Sequence, residues 1–252
     1  WAYKYEDYPS SEKFSHNNGN VETELYDEGI YVGYRYFDTF EVPVRYGFGY
    51  GLSYTDFEIT GCALKAVSAE KIRVTATVRN TGNVSGKEVV QVYASLPGGI
   101  LEKEAHRLAA YAKTNELKPG EAQEVTMEVK TDGLTSYDEK RAAWILESGF
   151  YGIWVGNSLA SAKLCGGIKL DQEVIRRQVR NLFPLKQELE EISQEASKTA
   201  KRAAAAAQQA KEEELSVLNI RGADIATETV EYKKNADLYE KEAMDFVNTL
   251  SE

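Results

Sequence analysis

The chain has 252 residues, of which 42% are hydrophobic and 28% charged, a composition typical of a globular protein with one large domain or two ordinary ones. Forty Asp and Glu against 30 Lys and Arg give a net charge of −10, which opposes contact with a phosphate backbone, so we expect no nucleic-acid partner. No stretch approaches the roughly 20 consecutive apolar residues of a membrane-spanning helix, and the opening WAYKYEDYPS lacks the basic and apolar parts of a signal segment, so we expect no membrane partner.

Glycine and aromatic residues divide the chain into two parts. Eighteen of the 19 glycines and 23 of the 27 aromatic residues lie on the N-terminal side of a boundary near Leu170 and Asp171. On that side, apolar and polar residues alternate in short runs, such as 72–78, 89–93 and 125–129. This period is typical of strands, and turn residues separate the runs. We therefore predict about seven short strands that form a β-sandwich over roughly 55–170.

The part after the boundary is rich in Ala, Glu, Lys and Gln and contains one glycine and one proline, which favours helices. Pro184 fits the first turn of a helix, and one helical face follows it at Leu185, Leu189 and Ile192. The segment 197–214 has high helical propensity but almost no bulky apolar side chain, so we interpret it as a solvated linker helix. An interrupted amphipathic pattern then ends in a predicted helix at 237–250.

The run 27–57, DEGIYVGYRYFDTFEVPVRYGFGYGLSYTDF, closely resembles the segment of glycoside hydrolase family 3 that closes the α/β sandwich domain and leads into the fibronectin type III-like domain. That family's pattern contains EGI-VGYRYY and FGYGLSYT-F, and this chain departs from it at Tyr46 and Gly47, where proline and phenylalanine are more usual. Three further elements are similar to family motifs: DYPS at 7–10, NTGNVSGKEVVQVY at 80–93 and LKPGE at 117–121.

The resemblance implies three parts. Residues 1–54 would be the C-terminal end of an α/β sandwich domain and a connector, 55–170 the fibronectin type III-like β-sandwich, and 171–252 a helical linker into the start of a (β/α)8 barrel. The last assignment rests on YEKEAMDFVNTLSE at 239–252, which looks like the first helix of the family's barrel. The expected fold class is mainly β with a helical C-terminal part: an immunoglobulin- or fibronectin type III-like sandwich followed by helices. A barrel after the sandwich resembles the domain-permuted β-glucosidases, so further segments of the enzyme are expected on both sides.

The resemblance also implies that the whole protein is a retaining β-glucosidase that hydrolyses terminal β-D-glucosyl residues of oligosaccharides. This reaction needs two carboxylates about 5–5.5 Å apart, one as nucleophile and one as acid/base. The family's nucleophile lies in an SDW-like motif of the barrel, which this sequence lacks, and its acid/base lies upstream of the DYPS element. We therefore expect no catalytic residue, no cofactor and no hydrolytic activity in this chain alone.

Several residues of the family-like region have plausible roles at a domain junction. Arg35 lies between Tyr34 and Tyr36, where it can stack and pair with a carboxylate, and we expect it to fix the junction rather than to contact substrate. The aromatic residues within 3–57 are dense enough for a carbohydrate platform, but their alternation favours buried interdomain contacts. A role for the loop 97–108 in the active site of the whole enzyme is left open.

The histidines and cysteines predict no metal site. His16 and His106 have no Cys or carboxylate neighbour at ligand spacing, so both are expected to be ordinary surface histidines. Cys62 and Cys165 fall on the predicted first and last strands of the sandwich, which allows a disulfide, although we expect two reduced, buried thiols. So few cysteines favour a reducing compartment, and hence a cytoplasmic location.

Other functions stay open from the sequence. A non-catalytic module that binds carbohydrate or protein would need a solvent-facing row of aromatic residues on one sheet face, and the sequence shows no such row. A β-xylosidase of the same family is a further alternative. A helical oligomerisation element is disfavoured because 203–207 interrupts the apolar seam, while a homo-oligomer of another kind remains open. The expected partners are the β-glucoside or oligosaccharide substrate, through the complete enzyme, and the remaining domains or chains of that enzyme.

Overall fold

The structure, a computed structural model, describes residues 1–14, 19, 21–22, 24–182, 189–194, 196–230, 241 and 243–247. These residues include two named helices, α1 (Tyr34–Thr39) and α2 (Ala196–Glu212), and a helical stretch at 243–247. The strands are β1 (Phe57–Ser68), β2 (Lys71–Asn80), β3 (Val89–Ser95), β4 (Arg107–Lys113), β5 (Ala122–Lys130), β6 (Ser136–Asp138), β7 (Ala143–Leu146), β8 (Gly149–Gly156), β9 (Lys163–Leu170), β10 (Val174–Gln178), β11 (Ser216–Ile220) and β12 (Glu228–Thr229). No helix in this described part of the chain is long and apolar enough to cross a membrane.

Two sheets form the β-sandwich. The first has the strand order β1-β2-β5, and the second has the order β11-β9-β8-β3-β4. Strand β2 illustrates why the sheets pack, because alternate residues are fully buried: Ile72, Val74, Ala76 and Val78. They share one hydrophobic core with Val90 and Ile153 of the second sheet. The predicted mainly-β sandwich is therefore confirmed.

A third, smaller sheet has the order β12-β10-β7-β6. Strands β6, β7 and β10 are antiparallel, whereas β12 runs parallel to β10. Leu146 of β7 and Val174 of β10 belong to the same hydrophobic core as the sandwich, so this small sheet is anchored on it. The face of β7 that points the other way carries Trp144.

The C-terminal part differs from the expectation that helices fill 171–252. In the described residues α2 is the one substantial helix, and β10, β11 and β12 are strands. Strand β11 pairs in parallel with β9, from Ser216 beside Gly166 to Ile220 beside Leu170, so the larger sheet continues past the predicted boundary. The alanine-rich composition of α2 dominates the average over this part and conceals the short strands. The domain limits at 54 and 170 stay predictions.

Two of the predicted C-terminal helices fall partly outside the described residues. Leu189 and Ile192, expected on one helical face, lie in irregular backbone, and the Ile192 amide donates a hydrogen bond to the Asp27 carbonyl at 2.6 Å. Pro184 and Leu185 lie outside the described residues. Of the predicted helix at 237–250, residues 241 and 243–247 are described, and they are helical.

Helix α2 is not the solvated linker that its composition predicts. One face of the helix is buried, at the spacing of successive helical turns: Thr199, Ala203, Ala206 and Ala210. This face lies on β8 and β9. Small side chains allow the helix axis to approach the sheet closely, and Gly98 on the neighbouring loop lies so near that a Cβ there would be 2.5 Å from the Ala200 Cα.

Cys62 and Cys165 form a disulfide, so the expectation of two reduced thiols is wrong. Their Cα atoms are 5.8 Å apart, and the bond joins β1 of the first sheet to β9 of the second. The physical reason is a shift of register between Thr60 and Ala63, where Gly61 adopts a φ of +60°. Phe57 and Ile59 are partly buried before the bulge, and the extra residue moves the partly buried positions to Cys62 and Leu64.

Removal of the disulfide is expected to destabilise the sandwich. The bond closes a loop with a sequence separation of 103 residues, so replacing both cysteines with alanine should lower the free energy of unfolding by about 2–4 kcal/mol. Urea unfolding of the double variant, and of the reduced wild-type chain as its control, measures this loss. Two titratable thiols in the unfolded, unreduced chain would contradict the bond.

A substitution at Gly98 tests the close approach of α2. Gly98→Ala is expected to cost about 1–3 kcal/mol of unfolding free energy, because the added Cβ meets backbone that has to move. Gly133→Ala is the matched control, since a Cβ at Gly133 has no atom within 4 Å. Thermal and urea unfolding compare the two variants, and an equal effect of both would contradict the packing of α2 described above.

Candidate functional site: a buried junction

The N-terminal segment contacts the sandwich where α1, the loop 96–106 and the start of α2 meet; we call this place the junction. The Ala105 amide donates to Thr39 Oγ1 at 2.9 Å, and both residues are buried. The Leu108 amide donates to the Tyr34 hydroxyl, also at 2.9 Å. Two side chains of α1 therefore hold the backbone at the end of the loop and at the start of β4.

Glu104 is the central charge of the junction. Its side chain is fully buried, and Arg107 donates to both of its carboxylate oxygens, from Nε at 2.7 Å and from Nη2 at 3.0 Å. The Nε atom of Arg35 lies 3.5 Å from Glu104 Oε1, across the junction. The expectation that Arg35 pairs with a carboxylate is confirmed by this contact.

The environment of Glu104 keeps it ionised. Burial by itself raises the pKa of this carboxyl, but the hydrogen bonds and charge of Arg107, together with Arg35, outweigh burial and hold the pKa below its ordinary value of 4.5. A buried carboxylate in a bidentate pair with a guanidinium has a fixed geometry. Glu104 is thus suited to hold the loop in place, because Arg107 and Arg35 both pair with its carboxylate.

Lys103 and Glu147 form a second buried ion pair. Lys103 is adjacent to Glu104 in sequence, but its side chain points toward a different part of the sandwich. Lys103 is 1% exposed, pairs with Glu147 and donates to the Leu101 carbonyl at 2.9 Å. The second oxygen of Glu147 accepts from the Ile100 amide at 2.6 Å. Glu147 lies between β7 and β8, so this pair fixes the loop to that hairpin.

His106 is not the ordinary surface histidine that its sequence context predicts. Its Nδ1 atom lies 2.9 Å from Asp38 Oδ2 of α1, and its ring meets the Trp154 ring edge to face at 5.1 Å. About a quarter of the His106 side chain is exposed. No group of three or more His, Cys, Asp or Glu that could hold a metal ion occurs in the part of the chain that the structure describes. His16 lies outside that part.

Residues that precede and begin α2 complete the junction. Gln194 is buried and donates to the Lys103 carbonyl, and its side-chain oxygen accepts from Arg202 at 3.1 Å. Arg202 also donates to the Thr39 carbonyl at 2.6 Å, which ties α2 directly to α1. The Tyr31 hydroxyl donates to Glu102 at 2.8 Å, and burial, then this bond, raise the pKa of the Tyr31 phenol.

The aromatic side chains of residues 1–57 separate into buried and exposed sets. Tyr31 and Phe37 are buried, and Tyr34 stacks on Phe48 with ring centroids 4.2 Å apart. Others are largely exposed: Trp1, Tyr3, Tyr26, Tyr46, Tyr50 and Tyr54, the last at 98%. The predicted buried contacts are therefore made by one set, while the second set leaves a large aromatic surface open to solvent.

Two clefts formed by described residues have room for a small ligand, and neither of these two is lined by a pair of carboxylates. One, of about 450 Å³, is lined by 57–62 and by residues of β8 and β9, with Glu58 as its one carboxylate. The other, of about 640 Å³, lies along β10 and β12, with Glu173 as its one carboxylate. Retaining glycoside hydrolysis needs two such groups, so these clefts lack the required arrangement.

Comparison with known proteins identifies the domain and its relatives. The family model of the fibronectin type III-like domain matches residues 88–159. A β-glucosidase of Ruminococcus albus is 42% identical over 191 residues, which covers 73% of this chain and 20% of the relative. β-Glucosidase A of Butyrivibrio fibrisolvens is 41% identical over 203 residues, covering 72% of this chain and 24% of the relative. This chain thus spans about a quarter or less of these proteins.

Solved structures of β-glucosidases are similar to this chain as well. β-Glucosidase 3B from Thermotoga neapolitana, in complex with glucose, is 40% identical with a TM-score of 0.64 and covers 69% of this chain and 24% of its own. A β-glucosidase from Paenibacillus barengoltzii is 37% identical with a TM-score of 0.65, covering 71% of this chain and 20% of its own. The resemblance to glycoside hydrolase family 3 that the motifs indicate is confirmed.

The Glu104 ion pair predicts a pH-dependent stability. Glu104→Gln is expected to lower the unfolding free energy at neutral pH by about 3 kcal/mol, because the mostly buried Arg107 loses its counter-charge. Since the folded pKa of Glu104 lies below 4.5, its contribution is complete above that pH and is lost as the pH falls through the folded pKa. The gap between wild type and variant should therefore narrow in acid.

Urea unfolding at a series of pH values from neutral to acid measures this gap. Glu124→Gln on β5 is the control, since Glu124 is exposed, and we expect it to track the wild type. A gap between wild type and Glu104→Gln that stays constant on acidification would contradict the assignment.

Proposed function

We propose that this chain, which corresponds to a part of a family 3 β-glucosidase that includes the fibronectin type III-like domain, is the scaffold that holds the catalytic domains of such an enzyme together. The whole enzyme would hydrolyse terminal β-D-glucosyl residues of oligosaccharides with retention of configuration. One observation carries the proposal: hydrogen bonds and the Arg35–Glu104 ion pair hold the N-terminal segment on the sandwich at the junction, while many aromatic side chains of that segment stay exposed.

The exposed aromatic surface supports an interdomain role. Trp1, Tyr3, Tyr46, Tyr50 and Tyr54 are between 47% and 98% exposed. So many exposed aromatic side chains favour an interaction site, because leaving them in water is unfavourable. In the longer enzyme the rest of the α/β sandwich domain would cover it.

The catalytic carboxylates of the enzyme are proposed to lie outside this chain. The junction carboxylates Glu104 and Glu147 are occupied by Arg107 and Lys103, so they are not available to a sugar. The two clefts each provide a single glutamate. These arrangements support a structural role for the chain and not a catalytic one.

The helical stretch 243–247 supports the proposed order of domains. Two apolar side chains of this stretch, Met244 and Val247, are 62% and 56% exposed. We propose that this helix begins a (β/α)8 barrel that follows the sandwich, as in the domain-permuted β-glucosidases. The barrel would then bury these side chains.

The names of the relatives support a β-glucoside as the substrate class of the whole enzyme. The two β-glucosidases reported above match over 73% and 72% of this chain. An exo-α-(1→6)-L-arabinopyranosidase of Bifidobacterium breve is 41% identical but matches over 60%. These two matches support a β-glucosidase as the whole enzyme.

Hydrolysis assays test the scaffold role. The purified chain alone is expected to show no turnover of an aryl β-glucoside, because neither cleft formed by the described residues is lined by two carboxylates. Mixing it with the upstream and downstream segments of its enzyme, expressed separately, is expected to restore activity. The release of the aryl group measures both reactions.

The control is the mixture without this chain, which should be inactive if the sandwich holds the catalytic parts together. Turnover by the chain alone, or full activity of the flanking segments without it, would contradict the proposal.

A further inference from the structure

We propose that the outward face of the small sheet binds a β-linked oligosaccharide through a row of four side chains, one from each strand. The row, which we call the platform, consists of Tyr137, Trp144, Arg177 and Glu228. That the sugar is β-linked rests on the proposed function. The rest of the inference rests on the geometry of the platform.

Strand register creates the platform. Tyr137 of β6 lies directly opposite Trp144 of β7, Trp144 lies opposite Arg177 of β10, and Arg177 lies beside Glu228 of β12. Residues paired in this way share one face of a sheet. With strands about 4.8 Å apart, three gaps give a row of about 14 Å, comparable with a short oligosaccharide.

A bulge in β10 places Arg177 in the row. Ile175 pairs with the buried Ile145, and without a bulge Arg177 would follow it onto the buried side. The register shift between Ile175 and Arg177 adds one residue, which turns Arg177 toward Trp144. An extra residue thus brings a hydrogen-bond donor beside an exposed indole.

The aromatic part of the platform is exposed and firmly supported. Trp144 is 41% exposed, and the Tyr137 ring lies with its centroid 5.2 Å from that of Trp144, at an interplanar angle of 48°. Ala143 and Ile145, on either side of Trp144, are buried at 0% and 1% and fix the strand beneath it. The C–H faces of pyranose rings pack on aromatic rings as other apolar surfaces do.

The polar part of the platform supplies donors and acceptors for hydroxyl groups. Arg177 Nε lies 3.1 Å from Glu228 Oε2, and the side chains are 43% and 53% exposed. Asp132, 45% exposed, lies 3.9 Å from Arg177 Nη2. Exposed ion pairs are weak, so sugar hydroxyls can exchange for the contact between Arg177 and Glu228 at little cost.

A sugar fits the platform better than a protein surface does. Protein interfaces of the specific kind bury about 800 Å² on each side, with an apolar centre depleted of charge. Here two carboxylates, Glu228 and Asp132, lie beside the aromatic rings, and Asp and Glu are residue types that protein interfaces are depleted of. An alternation of flat apolar faces and hydroxyl groups is the chemistry of an oligosaccharide.

Calorimetric titration of the 252-residue chain with cellohexaose tests the inference. Trp144→Ala is expected to weaken binding at least about tenfold, the loss of one aromatic contact, and Arg177→Ala to weaken it as well. Trp144→Phe should retain most of the affinity, since the stacking face remains. Tyr111→Ala is the matched control, because Tyr111 is 72% exposed but lies on β4 of another sheet.

Every outcome decides for or against the platform. No binding by the wild-type chain, equal affinity of the Trp144→Ala and wild-type chains, or equal loss in Tyr111→Ala would overturn it. Equal binding of the α-linked maltohexaose would overturn the β-linkage, and a dimer that Trp144→Ala abolishes would assign the face to a second copy instead. Cellohexaose binding together with failure of the mixing assay would retain the platform and reject the scaffold role.

Discussion

The burial of the Glu104 carboxylate is the constraint on which the rest of the structure depends. An ionised carboxylate without access to water is costly unless cations and donors surround it. Arg107 at the start of β4 and Arg35 of α1 meet that requirement. The same carboxylate therefore helps to fix both the beginning of an edge strand, through Arg107, and the position of the N-terminal segment, through Arg35.

Lys103 and Glu104 are adjacent and of opposite charge, and their side chains bind to different parts of the sandwich. Lys103 turns toward Glu147 between β7 and β8, while Glu104 turns toward Arg107. The backbone between them is used as well, because the Lys103 carbonyl accepts from Gln194 and the Ala105 amide donates to Thr39. Three consecutive residues thus connect segments that are far apart in sequence.

The sequence predicts the parts of the fold that depend on local pattern. The alternation in 72–78 places the buried side of β2 correctly, and the motifs of 27–57 and 80–93 identify the family. The disulfide was missed because Gly61 shifts the strand phase by one residue, although a lone glycine inside a strand is itself a sign of a bulge. Helix α2 was misjudged because alanine, counted as a weak apolar residue, packs closely against a sheet.

Features that depend on strand pairing are absent from any single stretch of sequence. The Tyr137–Trp144–Arg177 row joins residues that become neighbours only when β6, β7 and β10 pair in one register, so no aromatic row was expected. The partners of Glu104 and His106 on α1 are likewise about 70 positions away. Among these paired side chains, the sequence predicts a junction role for Arg35 alone, because Arg35 lies in a motif that resembles the family's.

The parallel pairing of β11 with β9 has a consequence for how the chain can be divided. A fragment that ended at Leu170 would keep all of β9 and lose the strand hydrogen-bonded along it. The open amides and carbonyls of β9, with the small residues Gly166 and Gly167 at its centre, would then be a template for strand addition by other copies. Strand β11 therefore protects this edge of the sheet from pairing with other copies of the chain. The strand comes from a part of the chain whose composition suggests only helix.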